Sequence, residues 1–119
     1  MLEIDKAIKI LEKSDLISQY NILTADEISK RLYYKIRCKL IPSKYKLDIR
    51  YIKTKKEFIY SYQVFYKKPI VRWDNGHHYP DLNNYPHHFH NNKIVKKSGL
   101  SGDLLDDLKK VLNKIPNYL

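Results

Sequence analysis

The chain has 119 residues, 43% of them apolar and 13% aromatic, which fits one folded domain over 1–119 and excludes a disordered or two-domain protein. Its 23 Lys+Arg against 13 Asp+Glu give +10 at pH 7, a balance that suits polyanions: nucleic acid, an acidic protein or an anionic surface. Cys38 is the lone cysteine, which excludes a disulfide framework and a Cys-based metal site.

No window approaches the roughly eighteen apolar residues of a membrane span. Met1 to Asp5 lack the basic start and apolar run of a secretory leader. The expectation is a cytoplasmic protein with no membrane partner. Nineteen of the basic residues are lysine, so part of the charge also fits an AT-rich genome.

Along the chain, residues 3–20 read as a helix, because Ile4, Ala7, Ile8 and Leu11 recur at helical spacing. Thr24-Ala25-Asp26-Glu27 has the form of a capping box and predicts a short second helix within an N-terminal helical segment, 1–31. The period then changes to two. Tyr34, Ile36, Cys38 and Leu40 alternate with Lys35, Arg37 and Lys39, which predicts a half-buried strand with Cys38 as a structural thiol. Pro42-Ser43-Lys44 predicts a turn. Tyr45, Leu47, Ile49 and Tyr51 alternate with Lys46, Asp48 and Arg50 in a second strand. Phe58 to Tyr66 gives a third, with Phe58, Tyr60, Tyr62, Val64 and Tyr66 on one face. Ile70 to Trp73 gives a fourth, short strand, closing the sheet segment 32–74.

Residues 75–100 hold Gly76, Pro80, Pro86 and several Asn, and so read as a loop. Leu104, Leu105, Leu108, Val111, Leu112 and Ile115 make an apolar stripe on a final helix within 101–116, with Ser101 as the expected cap and Pro116 as the stop. The expected fold is α+β: a four-stranded antiparallel meander, N-terminal helices, and a C-terminal amphipathic helix packed on one face.

Two features point to chemistry. On the sheet, Lys35, Arg37, Lys39, Lys46 and Arg50 lie on the non-core sides of the first two strands, with Tyr62 among nearby aromatics. Cations that track a backbone, interleaved with rings that stack on bases, are what single-stranded RNA asks for. A solvated polar face has the same pattern. The second feature is denser: all five histidines fall between positions 77 and 90, just after Arg72-Trp73-Asp74-Asn75. Histidine exchanges protons near neutral pH.

Three chemistries fit the cluster. One is RNA cleavage without metal, in which His88 and His90 act as acid and base and Arg72 offsets charge on the phosphorane. Another is a Zn²⁺ or Mn²⁺ site drawn from Asp74, His78, His87 and His90. The third is structural, with Asp74 and Asn75 pinning the loop of a non-enzymatic module that binds nucleic acid or a protein partner. No resident cofactor is expected, and a divalent metal stays open.

At Arg72-Trp73-Asp74-Asn75, His78, Pro80-Asp81-Leu82 and Pro86-His87-His88-x-His90, the chain resembles the TumE-type toxin family of prokaryotic toxin–antitoxin loci. The resemblance covers roughly residues 31–112 and includes Tyr60-Ser61-Tyr62 on the third strand. It implies a toxin proposed to act on RNA and neutralised by a cognate antitoxin encoded beside it, often one with a helix-turn-helix domain.

Family members commonly read Asn-Ala-Pro-His-His-Pro. Aligned on Pro80, the first family histidine falls on His78, Tyr79 replaces the second, and His77 stands where the family has proline. His87, His88 and His90 match without a gap. The family's acidic residue late in the second strand is absent; this chain has Arg50 and Tyr51 there. The expected catalytic set is Arg72, Asp74, His78, His87, His88 and His90, with Asp74 orienting an imidazole. An exposed edge strand adds the expectation of a homodimer.

Overall fold

In the computed structural model, strands form where the period of two is strongest. Each strand of this region sends one row of side chains inward. β2 (Arg31–Leu40) buries Tyr34, Ile36, Cys38 and Leu40, and β3 (Lys46–Lys53) buries Leu47, Ile49 and Tyr51. β4 (Phe58–Tyr66) adds Tyr60, Tyr62 and Val64, and β5 (Lys68–Asp74) adds Val71 and Trp73. Burial pushes the Cys38 thiol up to about 12, so it stays protonated and serves packing.

Two amphipathic helices cover this face. α1 (Glu3–Lys13) contributes Ile4, Ala7 and Leu11, and α2 (Leu104–Lys114) contributes Leu104, Leu108, Val111 and Leu112. Fully burying one such leucine stabilises the fold by roughly 1.5–3 kcal/mol. The structure describes residues 3–42 and 44–119. Met1 and Leu2 of the N-terminal segment, and Ser43 of the expected Pro42–Lys44 turn, lie outside the described residues. No helix among the described residues is long and apolar enough to cross a membrane.

The four-stranded expectation is corrected. Among the described residues the sheet has seven antiparallel strands, in the order β1-β2-β3-β4-β5-β6-β7. The segment expected to end the first helix and form a second is instead β1 (Ile17–Ile28), paired with β2 from Ile17↔Leu40 to Ile28↔Arg31. As an edge strand it is exposed along most of both sides, so it carries no in–out alternation to read. Its capping-box letters lose to β-branched Ile17, Ile22, Thr24 and Ile28 and to the ladder that β2 offers.

Two further strands lie inside the expected loop. β6 (His88–Asn91) and β7 (Ile94–Lys97) are four residues each. They are joined at Asn92, whose φ of 57° is a conformation that asparagine tolerates. Their brevity and polar letters hide them, yet Phe89 packs inward on Trp73, 4.8 Å between ring centroids, while His88 and His90 face the other way.

The C-terminal helix also differs at its start. Asp103, not Ser101, is the cap, accepting from the Asp106 N–H at 2.9 Å. Asp107 is fully buried and accepts from the backbone N–H groups of Ser101 and Gly102 at 2.9 and 2.7 Å. That turn needs glycine. Gly102 has φ +94°, and an added Cβ would lie 2.4 Å from the Phe58 ring. Pro116 opens a 3-10 turn, Ile115–Tyr118, instead of ending the helical path.

Candidate active site

The face of the sheet away from the helices is polar, and antiparallel register arranges it in rows. One row reads Lys35, Arg50, Ser61, Asp74, His88, Lys97 across β2 to β7. The next reads Arg37, Asp48, Gln63, Arg72, His90. Directly opposed residues share a face. Asp74, His88, His90 and Arg72 therefore converge because β5 and β6 pair in this register.

Asp74 is the hub. Its Oδ1 lies 2.8 Å from His88 Nε2 and accepts from the Gly76 N–H at 2.9 Å. Its Oδ2 lies 2.8 Å from Arg72 Nε and 3.4 Å from His90 Nε2. The Asp74 side chain is 9% exposed, and a carboxylate buried this far needs such partners.

His88 is 2% exposed, and its Nδ1 lies 3.0 Å from the Pro86 carbonyl. A carbonyl only accepts, so Nδ1 carries a proton. The carboxylate asks the same of Nε2. Both ring nitrogens of His88 therefore face oxygen acceptors.

His90 differs. Its side chain is 29% exposed. Burial lowers its pKa from the ordinary 6.5, the positive charges of His88 and Arg72 lower it further, and Asp74 only partly offsets them. Its Nε2 faces Asp74, which leaves Nδ1 as the nitrogen free to take a proton from outside. His88 and His90 sit 4.7 Å apart, centroid to centroid, and the Tyr79 ring packs edge-on to both at 5.0 and 5.9 Å.

The group lies in a cavity of about 670 Å³. Residues 76–79, His78 among them, line it together with Arg50, Lys56, Glu57 and Ser61. Asn75 anchors the start of the loop. Its side chain accepts from the Tyr60 N–H at 3.0 Å and donates to the Phe58 carbonyl at 2.8 Å. Asn84 anchors the far side, donating to the carbonyls of Ser98 and Leu100.

Of the expected catalytic set, Arg72, Asp74, His78, His88 and His90 line this one cavity. His87 does not. It points to the other side of the sheet and stacks on Tyr60, whose hydroxyl lies 2.7 Å from His87 Nδ1. Burial raises the Tyr60 pKa far above its ordinary value and lowers that of His87. The tyrosine therefore donates to a neutral imidazole. The expected metal set changes accordingly: Asp74, His88 and His90 offer ligand atoms within 4.8 Å of one another, and His78 and His87 are not part of that group.

The expected nucleic-acid residues also divide. Lys35 and Arg50 are register partners beside the cavity, and Lys39 and Lys46 pair at the far end of the sheet. Arg37 is held by Asp48 through two bonds of 2.8 and 2.9 Å and lies over the Phe65 ring. Tyr62 is corrected: at 1% exposure it sits in the core and cannot meet a nucleic acid. Its place among the inward tyrosines of β4 was the signal. Tyr79 and Ser61 were missed as cavity residues. Tyr79 stands inside the histidine motif, where a ring beside imidazoles was its only mark.

A family model described as Toxin TumE matches residues 7–119. Neither a curated protein nor a solved structure matches the chain.

Proposed function

This chain belongs to the TumE toxin family and is thus the toxin of a toxin–antitoxin pair with a cognate antitoxin, and from that premise we propose that it acts by cleaving RNA in the Asp74–His90 cavity. The observation that supports this most is the buried Asp74 carboxylate, shared by two imidazoles and a guanidinium in an open cleft that Arg50 and Lys56 also line.

The proposed step is an internal transesterification. His90 Nδ1 takes the proton of a ribose 2′-hydroxyl. The 2′-oxygen attacks the adjacent phosphorus and forms the new O–P bond, while the bond to the 5′-oxygen breaks. His78, exposed on the cavity wall, gives its proton to that leaving oxygen. The products are a 2′,3′-cyclic phosphate and a free 5′-hydroxyl.

His88 is too enclosed to exchange protons with a substrate. Its contact with Oδ1 instead holds the Asp74 carboxylate in place beside His90. Arg72, 48% exposed, reaches the phosphate, and Lys35 and Arg50 draw the strand in. The antitoxin would present an acidic surface to this basic protein, and a helix-turn-helix domain on it is part of the proposal. A homodimer through the β1 edge is proposed as well.

Purified protein incubated with single-stranded RNA tests the reading. Shortened RNA with cyclic phosphate ends, unaffected by chelator, is the expected result. RNA that is bound yet stays intact, with or without divalent metal, rejects cleavage. A second reading rests on the 4.8 Å grouping of Asp74, His88 and His90, a donor set suited to Zn²⁺ or Mn²⁺ in a metal-assisted hydrolase. It requires stoichiometric metal in untagged protein and loss of cleavage on chelation.

A further inference from the structure

The polar face carries a pattern beyond the catalytic cluster. The row that holds Asp74 and His88 also holds Lys35 and Arg50 on one side and Lys97 on the other. Neighbouring strands are about 4.8 Å apart. Arg50 therefore lies about 14 Å from His88, three strands away, and Lys97 about 5 Å away on the opposite flank. Among the described residues these three cations have no carboxylate partner. Arg37, one row over, is held by Asp48 through two bonds, whereas Arg72 meets Asp74 through Nε alone and keeps the rest of its fork for the phosphate in the cavity.

Two residues further along each strand, about 7 Å away, a different row crosses the same face: Tyr33, Ile52 and Ile59, paired in that order across β2, β3 and β4. Ile52 is 8% exposed yet lies outside the main apolar cluster, and Ile59 is 38% exposed. This is a separate apolar strip on the polar side, parallel to the cationic row. It stops at β4, where Ile59 lines the cavity.

Resting on the RNA-cleaving reading above, we propose that the substrate is an unpaired RNA strand laid across the sheet, perpendicular to its strands. Its phosphates follow Lys35, Arg50, the cavity and Lys97. On the β2–β4 side its bases lie over Tyr33 and Ile59, which flank the buried Ile52. A cationic track beside an apolar platform is the arrangement that holds single strands without reading their sequence. A duplex keeps its bases stacked inside and leaves the apolar strip uncovered. The placement also assigns Lys97 to RNA binding and removes Arg37 and Tyr62 from it.

Binding of fluorescent 2′-deoxy oligonucleotides, which this chemistry cannot cleave, tests the track. Anisotropy titrations compare a single-stranded decanucleotide with the same sequence as a duplex. Four variants complete the set: Lys35→Glu, Lys97→Glu, Ile59→Asp and Lys109→Glu. Lys109 is exposed on α2, off the track, and controls for net charge.

The expected result is single-strand binding at least about tenfold tighter than duplex binding. Lys35→Glu, Lys97→Glu and Ile59→Asp each weaken single-strand binding by about tenfold or more, and Lys109→Glu by less than about threefold. Equal weakening by Lys35→Glu and Lys109→Glu reduces the effect to bulk charge and overturns the track. So does equal affinity for the duplex, or track variants that bind like wild type. Wild type that binds neither form overturns the track and the RNA reading together. Wild type that binds the single strand through these residues but leaves RNA intact retains the track and removes the cleavage reading alone.

Discussion

The polar face of the sheet holds two arginine–aspartate pairs of the same length, and they have different uses. Arg37 and Asp48 meet at 2.8 Å with side chains 45% and 38% exposed. Arg72 and Asp74 also meet at 2.8 Å, but Asp74 is 9% exposed and its carboxylate also faces His88 and His90. Water screens the first pair, which contributes roughly 0–1 kcal/mol and fastens β2 to β3. The second pair sits under the loop of residues 76–79, where fields are stronger and each oxygen must serve several donors. The lesson is that burial and a second layer of partners, not the ion pair itself, turn a carboxylate into the hub of the proposed proton-transfer site.

Removing the buried hub should have the largest effect. Asp74→Ala leaves the enclosed His88 and the Arg72 side chain without their counter-charge, and should cost about 3–5 kcal/mol in chemical denaturation, with no cleavage remaining. The milder Asp74→Asn keeps the shape and should retain more of the stability while still losing activity. If Asp74→Ala melts with the wild type, the hub is not what organises this end of the sheet.

His90→Ala comes next. It should lower the cleavage rate by about 10²–10⁴-fold and shift stability by less than about 1 kcal/mol, because the ring is part-exposed. Loss of fold and activity in proportion would mean that the histidine is structural.

The pH profile sharpens the contrast further. A base must be neutral to act, and His90 has its pKa lowered by burial and by the charges of His88 and Arg72. The acid limb of the rate should therefore lie below about pH 6.5. Replacing His88 with Gln removes one of those charges, so the limb should move upward in pH. A limb that stays put, or moves down, contradicts the influence of His88 on His90. His87 adds a stability effect of known sign. Its folded pKa is lowered, so in the window just below 6.5 the unfolded chain binds more protons and stability falls as pH drops through it. Melting curves across that window should show the fall, and His87→Phe should flatten it.

The smallest effect belongs to the exposed pair. Asp48→Ala should cost less than about 1 kcal/mol in denaturant titrations. A larger loss would show that the two pairs are more alike than their exposure indicates.

The central strands were legible because each buries one face: Ile36, Cys38 and Leu40, or Tyr60, Tyr62 and Val64, alternate cleanly with polar neighbours. Helix α2 was legible through its leucines. β1 was not, since an edge strand open on both sides alternates nothing, and its Thr24–Glu27 letters imitate a helix start. β6 was hidden by its own chemistry. His88-Phe89-His90 has the period of a strand, but two of its three letters read as catalytic and none as structural. The histidine segment was legible as the lining of the candidate cavity, and Asp74 as a carboxylate beside an imidazole. The separation of His87 from His88 was not, because only the pairing of β6 with β5 determines which of two adjacent histidines meets Asp74.

The most direct measurement induces wild type and His90→Ala in a bacterial host at matched soluble levels and follows growth and total RNA over the same period. Growth arrest with RNA fragmentation in the wild type and intact RNA in the variant is the predicted result. Fragmentation by both proteins, or arrest by the wild type with RNA left whole, would contradict the assignment of the toxin's action to His90 and its Asp74 hub.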